Sequence, residues 1–307
     1  MHDLRKHLYT SLLTAAALLG GTATASAQQV TLGTASAFSV LGSPVTTSGS
    51  TITGDVGSAG AVSLTSSAIT GNLVYTGVLT NTASTISGTS TQPLPAQVVA
   101  DFNSAYTAAL AAPCPSGGTL LSTITGPMTL APGVYCTGAA LTGTGVLTLD
   151  AGGNPNAVWI FQIGGALTGT GFSVVMANGG QPCNVYWAPG AGVTMTTSTF
   201  SGNILAGGAT GAITLTGGSL AGRALASGAV TMTGANVVGC SALPSSTASC
   251  NGKGDDDQNK DHKKCNQGVG NGPEGCDPGH SDQHNPFGSN DENGGTPGNP
   301  GRKGGNN

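Results

Sequence analysis

The body of the chain repeats one short pattern, and this repeat constrains the fold more than any local motif does. Each copy consists of a small hydroxyl residue, two small residues, a small polar residue, a large apolar residue, a small residue and a glycine. The glycines that close the copies are Gly54, Gly71, Gly88, Gly202, Gly222 and Gly239. A unit of 17 to 20 residues cannot bury its own apolar side chains, so successive copies must stack on one another.

Short segments with the period of two that is typical of strands flank the copies. One segment precedes each copy, as at 61–64 and 229–232, and another follows it, as at 203–205 and 223–225. Three short strands separated by glycine predict one coil of a three-sided, mainly all-β solenoid. The alternation points the intervening Thr and Ser outward and the large apolar residues into the lumen. We expect the lumen to contain Leu64, Ile69, Leu73, Ile204, Leu215, Leu220 and Met232.

One segment departs from the repeat and predicts a helix. From about 95 to 112 the glycines disappear and alanine becomes the commonest residue. Apolar positions recur there at helical spacing, and Pro113 ends the run; these positions are Val98/Val99, Phe102, Ala105/Tyr106 and Ala109/Leu110. We therefore expect one amphipathic helix along the flank of the solenoid, with Asp101 on its solvated face.

The two ends of the chain differ from its body. Residues 1–27 have a basic start, an apolar run and small residues before Gln28, which predicts a secretory signal peptide cleaved after Ala27. The alternative, a short membrane anchor, would need a longer apolar run. Residues 251–307 carry 15 of the 22 charges and have almost no large apolar side chain, which predicts a disordered tail. The solenoid domain is thus expected at 28–250, in a secreted protein.

The seven cysteines suit an exported protein with disulfides. The chain has no Cys-x-x-Cys pair, so the sequence predicts no metal knuckle. The odd number leaves one thiol free or paired with another molecule. The expected pairs are Cys114 with Cys136, Cys183 with Cys240, and Cys265 with Cys276.

Charged side chains are almost absent from 28–250. This stretch contains no His, Glu or Lys, and its charged residues are Asp55, Asp101, Asp150 and Arg223. Enzymes place acids, bases or metal ligands where their chemistry happens, so the sequence predicts a non-enzymatic protein without a cofactor or a metal site. A polysaccharide-cleaving β-helix enzyme is the catalytic alternative, but it would need a paired acid and base. We expect Asp55 and Asp150 to have structural roles in turns and Arg223 to occupy a turn position.

The charge also bears on the partners of the protein. A net charge of −4, which comes mainly from the tail, argues against nucleic acid. In the tail, 255–257 and Asp261 lack the spacing of a calcium-binding EF-hand loop.

The threonines of the repeat are the candidate functional feature. Equivalent residues of successive coils stack about 4.8 Å apart, and Thr has a restricted χ1. Rows of Thr therefore form a rigid, nearly uncharged lattice of methyls and hydroxyls, which can hold surface water in a regular array that merges with ice. The alternative is that Thr simply suits exposed β-structure. We predict parallel rows on the face that carries the second strand of each coil, composed of Thr51, Thr82, Thr85, Thr196, Thr199, Thr216, Ser219, Thr233 and Asn236.

With these residues in view, the chain resembles the microbial ice-binding protein family of discontinuous β-solenoids. The resemblance covers about 30–239 and is carried by the segments 32–42, 53–57, 130–136, 147–151, 154–163, 183–187, 202–206 and 222–226. It implies a right-handed, three-faced solenoid with a long helix packed alongside. It also implies that the coils before the helix pack against the C-terminal coils.

Many members of that family use one flat face that carries a Thr-Ala/Gly-x-Thr/Asn motif. Residues 82–85 and 233–236 match this motif, and 196–199 and 216–219 depart from it at one position each. The resemblance thus implies a secreted, monomeric protein that adsorbs to ice and its ordered water. The alternative is a non-catalytic cell-surface adhesion or matrix module that has the same fold and contacts polysaccharide without binding ice.

Overall fold

The computed structural model describes residues 27–114 and 122–240. The predicted tail, the pair Cys265–Cys276 and the predicted signal peptide except for Ala27 lie outside the described residues. Before the helix, the strands are β1 Phe38–Gly42, β2 Val45–Ser48, β3 Thr51–Thr53, β4 Asp55–Ser58, β5 Val62–Thr65, β6 Ala68–Ile69, β7 Leu73–Tyr75, β8 Leu79–Thr82, β9 Thr85–Ile86 and β10 Ser90–Thr91. The helix α1 spans Ala96–Ala111.

After the helix, the strands continue the same three-strand rhythm. They are β11 Thr123–Ile124, β12 Met128–Leu130, β13 Gly133–Thr137, β14 Leu141–Gly143, β15 Val146–Asp150, β16 Trp159–Ile163, β17 Leu167–Thr170, β18 Ser173–Ala177, β19 Val185–Pro189, β20 Val193–Thr196, β21 Thr199–Ala206, β22 Ile213–Thr216, β23 Ser219–Ala226, β24 Val230–Thr233 and β25 Asn236–Val238. Short 3-10 helices span Gly33–Ala37 and Pro182–Asn184.

The strands form two parallel sheets that make up three faces. The first face is the nine-stranded sheet, with the order β11-β14-β17-β20-β22-β24-β2-β5-β8. The second and third faces belong to the 16-stranded sheet and are joined by the long strands β21 and β23. The second face contains β12, β15, β18, β25, β3, β6 and β9, and the third contains β13, β16, β19, β1, β4, β7 and β10.

The order of the coils in space differs from their order in the chain. Strand β2 lies between β24 and β5, with Val45 opposite both Val230 and Val62. The coils that precede α1 therefore continue the stack formed by the C-terminal coils. This confirms the discontinuous solenoid that the resemblance implied.

Two apolar clusters stabilise the stack. All seven predicted lumen residues are at most 4 % exposed and belong to the lumen cluster. Phe161 and Trp187 stack within it, with ring centroids 3.9 Å apart. The second cluster lies outside the coils, where α1 covers the third face. Of the predicted helical residues, Val98, Phe102, Ala105 and Ala109 belong to this cluster, and Val99 and Tyr106 are partly buried against it. Leu110 is 41 % exposed, so its expected place in the apolar stripe is wrong.

Covalent and polar links hold α1 in place. The amide of Gln162 donates to the carbonyl oxygens of Ala109 and Ala112, at 2.8 and 2.6 Å, at the end of the helix. The predicted disulfide between Cys114 and Cys136 follows directly. The second predicted disulfide, Cys183–Cys240, closes the other end of the described chain. No helix among the described residues is both long and apolar enough to cross a membrane.

Candidate functional site

Two straight rows of hydroxyl side chains cross the first face. The middle row holds eight threonines and one serine in consecutive strands: Thr123, Thr142, Thr168, Thr194, Thr214, Thr231, Thr46, Ser63 and Thr80. The corner row lies two residues further along each strand: Thr170, Thr196, Thr216, Thr233, Ser48, Thr65 and Thr82. Parallel pairing spaces the residues of a row about 4.8 Å apart and the two rows roughly 6.6 Å apart.

A third row runs along the second face, beyond the turn that follows the corner row. It consists of Ser173, Thr199, Ser219, Asn236, Thr51, Ala68 and Thr85. We call it the second-face row. Thr51 donates its hydroxyl proton to Oδ1 of Asn236 at 2.8 Å. Ala68 interrupts the polar side chains, so this row is less regular than the two rows on the first face.

The nine predicted site residues divide between two faces. Five of them lie in the second-face row, as predicted: Thr51, Thr85, Thr199, Ser219 and Asn236. The other four, Thr82, Thr196, Thr216 and Thr233, end strands of the first face and form part of the corner row. The prediction that all nine share the face of the second strand is therefore wrong for these four.

A left-handed residue explains this division. In seven coils the residue after the corner row has a φ between 47° and 63°: Gly49, Ser66, Ala83, Gly171, Thr197, Gly217 and Gly234. This conformation turns the backbone sharply and is least costly for glycine. The turn stands between the two hydroxyl positions of each motif copy, so it separates them onto adjacent faces.

Sequence reasoning missed the middle row as a site, although a signal for it exists. The first strand of three consecutive coils alternates an apolar residue with Thr twice, in Val193–Thr196, Ile213–Thr216 and Val230–Thr233. Both hydroxyl residues of such a strand must point outward. The Thr-Ala/Gly-x-Thr/Asn motif begins at the second of these two residues, so a search for the motif does not find the first.

The hydroxyls of the first face are available to water. Within the described residues, no side chain of the middle or corner row hydrogen-bonds to another protein group, and each row residue is at least partly exposed. The side chains between them point into the lumen and are buried, as with Ile213 and Leu215. The face therefore has an apolar inner side, and its outer side carries regularly spaced hydroxyls and methyls without a charge.

The four charged residues of the body lie away from these rows. Asp101 was expected on a solvated helix face; it is partly exposed there and also accepts hydrogen bonds from the hydroxyl and the N–H of Thr34, at 2.6 and 2.7 Å. These bonds lower the pKa of the Asp101 carboxyl. Arg223 was expected at a turn, but it lies within β23 and donates twice to the carbonyl oxygen of Ser36. Asp101 thus links the N-terminal segment to α1, and Arg223 links this segment to the solenoid.

The two remaining carboxylates stabilise loops and corners. Asp55 accepts the N–H of Asn72 at 2.7 Å. Asp150 accepts the N–H of Gly152 and the side-chain amide of Asn178, both at 2.8 Å, which lowers the pKa of its carboxyl. In the part of the chain that the structure describes, no three His, Cys, Asp or Glu side chains come together as metal ligands would.

The family model described as Ice-binding-like matches residues 40–238. An ice-binding protein of Nostoc sp. (strain HG1) is 42 % identical over 82 residues, which are 26 % of this chain and 30 % of that protein. Ice-binding protein 1 of Shewanella frigidimarina (strain NCIMB 400) is 40 % identical over 111 residues, 34 % of this chain and 12 % of that protein. The matches thus span less than a third of either relative.

Solved structures match a larger part of the chain. The crystal structure of an ice binding protein from an Antarctic biological consortium has 34 % sequence identity and a TM-score of 0.53, and the match covers 70 % of this chain and 93 % of that one. An ice-binding protein from the Antarctic ascomycete Antarctomyces psychrotrophicus has 27 % identity and a TM-score of 0.54, covering 69 % and 98 %. A domain of ice-binding protein 1 from Shewanella frigidimarina has 28 % identity and a TM-score of 0.54, covering 69 % and 98 %.

Proposed function

This chain belongs to the ice-binding-like family, and we propose on that basis that it adsorbs to ice through the first face of its solenoid. The observation that carries the proposal is the pair of adjacent hydroxyl rows on the nine-stranded sheet, of which the middle row spans all nine strands and the corner row spans seven consecutive strands. Nine strands at about 4.8 Å spacing give a surface roughly 40 Å long.

The chemistry of the first face suits contact with ice. Ice offers water molecules at fixed positions and no charge, so a complementary surface needs many weak contacts at fixed spacing. The ladder of parallel strands fixes the backbone, and β-branching restricts the Thr side chains before contact. Preorganisation of this kind lowers the entropy cost of binding. The rows carry no charged group whose hydration shell would have to be displaced.

The five predicted residues of the second-face row adjoin this surface along its edge. We propose that they extend it across the corner, with Thr51 and Asn236 already fixed by their hydrogen bond. Adsorption requires no turnover, and the three carboxylates of the body bind N–H or hydroxyl groups of their own chain. We further propose that the protein is secreted through residues 1–27 and acts as a monomer.

Lysine substitutions test which face adsorbs to ice. Thr214→Lys in the middle row and Thr216→Lys in the corner row place a long charged side chain on the same strand of the first face. We expect each to reduce thermal hysteresis at a given protein concentration about tenfold, as expected for a loss of about 1.4 kcal/mol of adsorption free energy. Thr51→Lys should have a smaller effect, because its row lies at the edge.

Thr148→Lys is the matched control, since Thr148 is partly exposed on β15 of the second face, outside all three rows. Circular dichroism and thermal unfolding would establish that each variant is folded. Full activity in folded Thr214→Lys and Thr216→Lys, together with a loss in Thr51→Lys, would assign ice binding to the second face instead. Absence of thermal hysteresis and of recrystallisation inhibition in the unmodified protein would refute the proposal as a whole.

A further inference from the structure

Four serines occupy the turn between the corner row and the second-face row. Each follows the left-handed residue of its coil and points inward, as Ser50 does after Gly49. Ser50, Ser67 and Ser198 are at most 4 % exposed, and Ser84 of the last coil is partly buried. We call Ser50, Ser67, Ser84 and Ser198 the corner ladder.

The backbone hydrogen bonds change direction at this turn. Gly49 donates its N–H to Thr65 of the next coil in the stack at 2.9 Å, whereas Thr51 donates to Ala235 of the preceding coil at 3.0 Å. The N–H of Ser50 lies between these two and donates instead to Oγ of Ser67, at 3.2 Å. A buried N–H without a hydrogen-bond acceptor destabilises the fold. The serine hydroxyl provides the acceptor that the sheet does not provide at this turn.

The same bond recurs along the stack. Ser67 donates its N–H to Oγ of Ser84 at 2.9 Å. Ala235 donates to Oγ of Ser50 at 3.2 Å, across the junction between the C-terminal and N-terminal coils. Phe172 donates to Oγ of Ser198, also at 3.2 Å.

Each hydroxyl also binds the backbone of the corner row. Ser50 donates to the carbonyl oxygen of Ser48 at 3.1 Å, Ser67 to that of Thr65 at 3.0 Å and Ser198 to that of Thr196 at 3.1 Å. One side chain therefore links the corner-row residue of its own coil to the turn of the preceding coil. The link fixes both the spacing between coils and the angle between the two rows.

Three of the seven coils lack the serine. Phe172, Gly218 and Ala235 take its position in these coils. Gly217 and Gly218 both have positive φ, and a Cβ on Gly218 would overlap the carbonyl oxygen of Ser198. In that coil the close approach of two backbones leaves no space for a serine side chain.

From these bonds we infer that the four serines of the corner ladder are positioning residues for the ice-binding surface. Their buried hydroxyls keep the corner row and the second-face row in register from coil to coil, without contacting ice themselves. This inference rests on the proposed function, because register across coils matters only to a partner that contacts several coils at once.

Ser67→Ala tests the inference, because it removes the acceptor for Ser50 and the donor to Thr65 together. Leu64→Val on the neighbouring strand is the stability control, since it shortens a fully buried lumen side chain without touching the ladder. Both variants are compared in the full chain, near 0 °C, where both remain folded. We expect the thermal hysteresis activity of Ser67→Ala to be about fivefold lower than that of Leu64→Val. A factor of about five corresponds to the net free energy of one hydrogen bond.

Ser84→Ala is the second variant, because it removes one partly buried bond at the end of the stack and should fold even if Ser67→Ala does not. A loss beyond the control in either folded variant supports the inference. Equal losses in the serine variants and the control would show that the ladder only stabilises the fold. If the unmodified protein lacks ice activity, the proposed function is wrong and the positioning role is wrong with it.

Discussion

At the scale of single residues, buried polar side chains join adjacent coils through hydrogen bonds. Asn203 is fully buried and donates from its amide to the carbonyl oxygens of Cys183 and Val185, at 2.9 and 3.0 Å. Its own Oδ1 accepts a hydrogen bond from Arg223 at 3.0 Å. Such networks are stabilising when every member has a partner.

Thr47 is the exception, and replacing it should stabilise the protein. Its hydroxyl is buried without a hydrogen-bond partner, in a lumen position aligned with Met232 and Leu64. Thr47→Val keeps the shape and removes an unpaired polar group, so we expect a gain of about 1 kcal/mol and a rise in the melting temperature of about 2–4 °C. Thermal unfolding measures this directly. A lower melting temperature would show that the hydroxyl has a partner, and ice activity should not change.

Asp101 predicts a pH-dependent contact of the N-terminal segment. Hydrogen bonds from Thr34 and Gln97 hold the pKa of this carboxyl below its ordinary value of 3.8. The ionised carboxylate therefore stabilises the contact above that value, and the stabilisation is lost as the pH falls through the lower folded-state pKa. Amide hydrogen exchange at Thr34 should accelerate in that acidic range. Asp101→Asn should exchange faster near neutral pH and show a weaker acid dependence, and an unchanged rate in this variant would contradict the assignment.

At the scale of elements, the last coil of the stack shows how the solenoid ends. Asn81 of β8 occupies the lumen position that Leu64 occupies in β5. Its side chain folds back, accepts the N–H of Ser84 at 3.1 Å and donates to the Ser84 carbonyl oxygen at 3.3 Å. Asn81 thus provides the acceptor that a serine in a further coil would have supplied.

Asn81→Leu should therefore promote self-association. The substitution exposes an apolar side chain at a strand edge whose backbone groups can pair with another chain. We expect sedimentation velocity to detect dimers or larger species that the unmodified protein does not form at the same concentration. Asn236→Leu, in the interior of the stack, is the matched control, and equal association of both variants would point to general surface hydrophobicity instead.

The alternation of residues predicted the strands, the lumen and the helix because each depends on a local period. The position of four site residues could not be predicted this way. Ser66, Ala83 and Thr197 adopt positive φ, although their residue types do not favour this conformation. The turn between the two hydroxyl positions therefore could not be predicted from the sequence. The roles of Asp101 and Arg223 were also hidden, because their partners lie 67 and 187 residues away in the chain.

At the scale of the whole molecule, the absence of ionisable groups from the hydroxyl rows has a measurable outcome. Thr, Ser and Asn do not titrate in the ordinary pH range, so the adsorbing surface keeps one protonation state. Thermal hysteresis should stay constant between about pH 5 and pH 9, as long as the protein remains folded. A marked pH dependence in this range would mean that a charged group outside the rows takes part in adsorption.

The junction between β2 and β24 sets the order in which the molecule can be completed. Thr51 and Asn236 touch although 185 residues separate them. The coil that contains β2 and β3 therefore lacks one of its two neighbours until almost the whole domain exists. Pairings between such distant residues form slowly, because a long loop must close first. The coil that contains β24 and β25 is synthesised last and provides the strands on which β2 and β3 assemble. A chain that stops before β24 would have nowhere to dock its own beginning.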